Sequence, residues 1–83
     1  MNLPDGWSIV ITGTTPCYEH YHGDILYTPG PQWQPKLMTT WCYDKRQRKY
    51  ICKIVSEKAG RGYKFFYDVS PEGLVRQINN YLD

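Results

Sequence analysis

The densest cluster of potentially reactive side chains in this 83-residue chain is Cys17-Tyr18-Glu19-His20-Tyr21-His22. Thiolate and imidazole are good zinc ligands, and three of them within one short segment can close on a single ion. Zinc sites are ordinarily built from two separated pairs, however. Here the second pair would have to come from Cys42 or Cys52, brought in by the fold. A nucleophilic cysteine with His20 or His22 as its base is the other chemistry these residues suggest. No local signature around any of the three cysteines supports it. The expectation is therefore no metal, no cofactor and no enzyme activity. Cys42 and Cys52 fall in strand-like segments and read as small hydrophobes.

A second constellation is electrostatic. Eight of the ten Lys and Arg residues lie within residues 45–64, where Glu57 is the one acid. They are Lys45, Arg46, Arg48, Lys49, Lys53, Lys58, Arg61 and Lys64. The remaining acids are spread over the rest of the chain, so a net charge of only +2 conceals a basic region and an acidic one. A basic strip along a sheet can track a phosphate backbone, and a narrow β-ribbon fits the major groove of duplex DNA. The same lysines also suit a soluble hairpin that resists edge-to-edge aggregation.

A third constellation is aromatic. Tyr18, Tyr21, Tyr27 and Trp33 cluster around the stiff segment Pro29-Gly30-Pro31-Gln32-Trp33-Gln34-Pro35. Rings without nearby lysines are typical anchors of protein interfaces. They serve equally well as a roof over one face of a sheet.

These residues need elements to hold them. With 41% hydrophobic and 16% aromatic residues, the chain can pack one small domain spanning residues 1–83. Three cysteines are too few for a disulfide framework, no 18-residue apolar run is present, and the first residues do not read as a signal peptide. A cytoplasmic location is the expectation. Alternation predicts strands over residues 7–12, 24–28 and 37–43, with residues 17–24 harder to assign.

The central unit runs from Trp41 to Leu82: three strands, two turns and a helix. Pairing Trp41 with Cys52 and Tyr43 with Tyr50 puts their rings on one face. Around the second turn, pairing Lys58 with Tyr63 sets Glu57 opposite Lys64, Val55 opposite Phe66 and Lys53 opposite Asp68. In that register Trp41, Tyr43, Tyr50, Cys52, Ile54, Phe65, Tyr67 and Val69 form the core surface. Lys53 and Lys64 then share the opposite face. Ser70-Pro71-Glu72 is a helix start, with Ser as N-cap, Pro in the first position and an acid at the positive end. Leu74, Val75, Ile78, Tyr81 and Leu82 follow at helical spacing, leaving Arg76, Gln77, Asn79 and Asn80 to solvent. The predicted fold is α+β: an antiparallel sheet of four to five strands with one C-terminal helix packed on one face.

Leu3-Pro4-Asp5-Gly6-Trp7, the stretch Tyr63-Lys64-Phe65-Phe66-Tyr67-Asp68-Val69-Ser70-Pro71-Glu72-Gly73 and the closing Tyr81-Leu82 together resemble methyl-CpG-binding domains. The order of three strands followed by a helix is also similar to the AP2-like and integrase amino-terminal DNA-binding folds. Those folds lay a sheet in the major groove. Leu74-Val75-Arg76 stands where the methyl-CpG family carries a basic stretch, so the resemblance implies sheet-mediated DNA contact rather than methyl-CpG recognition. Nucleic-acid binding, with duplex DNA as first choice, is the leading expectation. A small inhibitor or adaptor that binds a protein partner through Tyr18, Tyr21, Tyr27 and Trp33 is the alternative.

Overall fold

The computed structural model describes residues 3–14, 20–30, 35–56 and 62–82. Five strands precede one helix: β1 (Trp7–Thr14), β2 (Tyr21–Tyr27), β3 (Leu37–Asp44), β4 (Lys49–Ser56), β5 (Gly62–Asp68) and α1 (Pro71–Leu82). The strands form one antiparallel sheet in sequence order, and the predicted α+β class is the observed one. β1 enters the sheet through a turn in which the Trp7 N–H donates to the Pro4 carbonyl at 3.2 Å. Gly6 occupies its third position at φ +86°, the left-handed backbone that a turn of this kind requires there. The extra residue Thr12 interrupts the β1–β2 ladder between Ile11 and Gly13. Its hydroxyl lies 3.3 Å from His22 Nδ1.

The helix begins where its capping chemistry predicts. Ser70 Oγ accepts from the Gly73 N–H at 3.1 Å, and Asp68 Oδ1 accepts from the Ser70 N–H at 3.2 Å. The Asp68 carboxylate fills the space where a Cβ on residue 73 would fall, so Gly73 lets the helix start close against β5. Leu74, Val75 and Ile78 are fully buried against Trp7, Ile25, Trp41, Cys52, Ile54 and Phe66. Each such side chain contributes about 1.5–3 kcal/mol relative to leaving it exposed.

Two helix residues assigned to solvent by the sequence are bound to the sheet instead. Gln77 Nε2 donates to the Tyr67 carbonyl at 2.7 Å and to Asp68 Oδ2 at 2.8 Å. Asn79 Oδ1 accepts from the Trp7 indole N–H at 3.1 Å, tying the last turns of α1 to β1. Arg76 and Asn80 are exposed as expected. Among the described residues, no helix is long and apolar enough to cross a membrane.

The first hairpin has the expected register, with Trp41 opposite Cys52 and Tyr43 opposite Tyr50. The second does not. Val55 lies opposite Tyr63, Lys53 opposite Phe65, Cys52 opposite Phe66 and Tyr50 opposite Asp68. The offset from the expected pairing is three positions, an odd number, and it turns every β5 side chain to the other face. Phe66 is therefore in the core, while Phe65 is 45% exposed on the opposite side and Val69 is 75% exposed. Tyr67 also leaves the expected core surface.

Aromatic residues occupy both phases of β5, so alternation alone does not choose between them. The helix start does. Asp68 must face α1 to accept from Ser70 and Gln77, and Phe66 then shares that side beneath Tyr81. The charge pairs expected from the other register contribute only about 0.2–1 kcal/mol each. Lys53 meets Phe65 rather than Asp68, and Glu57 lies outside the described residues.

Candidate functional site

The helix covers one face of the sheet and leaves the other without a covering element among the described residues. The cross-strand pairs assign the side chains of this open face. β5 contributes Tyr63, Phe65 and Tyr67. β4 contributes Lys49, Ile51, Lys53 and Val55. The β2–β3 part carries Leu26, Met38, Thr40 and Cys42 with the acids Asp24 and Asp44. The acids stand on β2 and β3, with Asp44 directly opposite Lys49, while β4 and β5 carry none on this face among the described residues.

Within that half, Lys53 Nζ lies 5.5 Å from the centroid of the Tyr63 ring, and Lys53 is directly opposite Phe65. Tyr63 and Phe65 are 40% and 45% exposed and pack edge to face at 5.6 Å. Tyr63 and Phe65 thus stand exposed at alternate positions of β5, with the half-buried Tyr67 next in line and Lys49 and Lys53 on the strand beside them.

The basic residues do not all share this face. Lys64 is opposite Ile54 and projects to the helix side, with its ammonium 5.3 Å from the Tyr81 ring centroid and 5.7 Å from that of Phe66. The expected strip joining Lys53 to Lys64 is therefore broken by the phase of β5. Lys58 and Arg61 lie outside the described residues. Lys45, Arg46, Arg48 and Lys49 are all exposed at the β3–β4 turn. That turn is closed by the Arg48 N–H donating to the Asp44 carbonyl at 2.8 Å and by the Arg46 N–H donating to Asp44 Oδ1 at 2.9 Å. Arg48 has φ 55°, the one described non-glycine residue in left-handed backbone.

The histidines point to separate surroundings. His20 stacks on Tyr43 at 3.5 Å and meets Tyr50 edge-on at 6.3 Å. His22 pairs with Thr12 across the β1 bulge. Cys17 lies outside the described residues, and among those described no group of three His, Cys, Asp or Glu is placed to hold a metal ion. Cys42 is exposed on the open face. Cys52 is buried on the other, and burial, with Cys42 a smaller influence, pushes its thiol up to about 12. Neither histidine contacts a cysteine among these interactions.

Of the aromatic residues expected to bind protein, Tyr18 and Trp33 lie outside the described residues. Tyr27 stacks on Trp7 at 4.7 Å and belongs to the fold. Tyr21 is 47% exposed at the start of β2. Sequence reasoning missed Tyr63, Phe65 and Tyr67 as surface residues. Alternation does not reveal them, because Phe66 stands in the other phase; the local signal available was Asp68, two residues before the N-cap Ser70. Searches of protein-family models, curated proteins and solved structures find nothing that matches this chain.

Proposed function

We propose that this chain is a small, non-catalytic nucleic-acid-binding protein. Its contact surface is the β4–β5 half of the open face together with the β3–β4 turn. The observation that carries this reading is the position of Lys49 and Lys53. They stand on the same face as Tyr63, Phe65 and Tyr67, and one end of that face adjoins Lys45, Arg46 and Arg48. Cations beside exposed rings match both parts of a nucleic acid, phosphate and base. Lys64 contributes less than the sequence suggests, because its ammonium sits over rings on the other face.

Fluorescence anisotropy at two salt concentrations tests the reading, with mixed-sequence single-stranded and duplex DNA as probes. If Arg46, Arg48, Lys49 and Lys53 each neutralise one phosphate, affinity falls with salt at a log–log slope of about −3.6 on duplex or about −2.8 on single strand. Replacing Arg46→Ala with Arg48→Gly flattens the slope by about 1.8 or about 1.4 respectively. Glycine suits position 48 because it adopts φ 55° without a side-chain clash. Absence of binding to either probe at low salt refutes the proposal.

The protein-partner alternative is favoured by a different observation. Met38 and Val55 are 67% and 81% exposed on the open face, beside the half-buried Leu26 and Ile51. Exposed aliphatic side chains grouped in this way suit a protein surface better than a phosphate backbone.

A further inference from the structure

Resting on the nucleic-acid reading, we propose that the bound strand is single and that Tyr63, Phe65 and Tyr67 form a platform on which successive bases stack. The spacing carries the argument. Residues two apart on a strand are separated by about 6.7 Å along its axis. Bases in a duplex repeat at about 3.4 Å along each strand. Neighbouring bases seated on neighbouring rings must therefore be drawn apart to about twice their stacked separation. A single strand can extend in this way. A duplex presents only base edges in its grooves, and its base faces are closed to side chains unless it is unstacked.

The position of Lys53 agrees with this arrangement. It is opposite Phe65 and leans over Tyr63, so it lies beside the step between those rings. The phosphate joining two stacked bases falls at that step. Lys49 lies farther along β4 on the same face, where the strand continues towards the β3–β4 turn. The edge position of β5 leaves one side of the ring column without a neighbouring strand among the described residues, so bases can approach from that side. Tyr63 and Phe65 meet edge to face at 80° in the unbound protein. Exposed side chains change rotamer within picoseconds to nanoseconds, so both rings can turn their faces to the bases.

The test uses the full chain and a fluorescein-labelled single strand of about 12 nucleotides, within the span of known single-strand sites. The comparison probe is the same strand annealed to its complement. The wild type is expected to bind the single strand at least about tenfold more tightly than the duplex. Phe65→Ala and Tyr63→Ala each weaken single-strand binding by about 5- to 150-fold. Both leave the salt slope unchanged, because no charge is removed. Phe65→Trp restores binding.

Circular dichroism of each variant confirms that its fold is retained. Equal or tighter duplex binding overturns the inference while leaving the nucleic-acid reading intact. So does single-strand affinity within twofold of wild type in both alanine variants. Failure of the wild type to bind either probe at low salt overturns both proposals. Self-association in sedimentation that is abolished by Phe65→Ala, without DNA binding, instead assigns the face to a second copy of the chain.

Discussion

Phe65 and Phe66 are adjacent and chemically identical, and the phase of β5 predicts opposite consequences for removing them. Phe66 is 4% exposed and packs edge to face with Tyr81 at 5.6 Å, above a core that includes Cys52 and Leu74. Truncating a buried Phe to Ala removes its transfer free energy and leaves a cavity, at a total cost of about 3–5 kcal/mol. Phe65 is 45% exposed, so roughly half of a full burial of about 1.5–3 kcal/mol is at stake, and solvent fills the space. Its loss should cost about 1 kcal/mol. The difference of about 2–4 kcal/mol is large beside a total stability of about 4–12 kcal/mol for a chain of this size. Urea denaturation followed by tryptophan fluorescence measures it directly. Near the melting temperature each kcal/mol corresponds to about 4–8 °C, so Phe66→Ala should melt at least about 8 °C below Phe65→Ala. Equal destabilisation, or a larger effect at Phe65, refutes the observed register of β4 and β5. The open-face assignment of Tyr63 and Tyr67 would fall with it.

Three further outcomes are expected. Gly23→Ala should cost about 3 kcal/mol, because a Cβ there collides with the Val10 carbonyl oxygen, which a backbone in a paired strand cannot readily vacate. Thermal melting checks this, and a change under 1 kcal/mol would contradict the close β1–β2 approach. In a Cys17→Ser background, Cys42 should react rapidly with a thiol reagent near neutral pH while Cys52 stays protected until the protein unfolds. Folding raises the Cys52 pKa from 9.0 to about 12, so above pH 9 the unfolded state releases a proton that the folded state retains. The stability contribution of the neutral thiol is therefore intact below pH 9. It declines by up to about 1.4 kcal/mol per pH unit between 9 and 12. Cys52→Ala should flatten that part of the stability–pH curve, and an unchanged curve would show the thiol is not the group responsible.

The local chemistry of this chain determined several elements without help from the fold. Ser70-Pro71-Glu72 marks the start of α1 because an N-cap and a first-turn proline act within a few residues. The spacing of Leu74, Val75 and Ile78 defines its buried side for the same reason. The β3–β4 register was also legible, since only one pairing of Trp41, Tyr43, Tyr50 and Cys52 keeps the rings together. The concentration of cations between residues 45 and 64 needed only a reading of the residues in order.

The tertiary structure decided which face each part of that charge and aromatic content occupies. In Tyr63-Lys64-Phe65-Phe66-Tyr67-Asp68 both phases of the alternation carry rings, so the hydrophobic pattern is degenerate. Asp68 resolves it through a local bond from the Ser70 N–H and a contact with Gln77 that forms once α1 lies on the sheet. That single choice buries Phe66, turns Lys64 towards Tyr81, opens Tyr63 and Phe65 to solvent beside Lys53 and leaves Tyr67 half-buried on the same face. Gln77 and Asn79 follow the same logic, since their partners, Tyr67, Asp68 and Trp7, are 9 to 72 residues away in the chain. Local periodicity carries no information about contacts at that range. A period-two strand amplifies the consequence, because an error of one odd step in register exchanges the two faces completely.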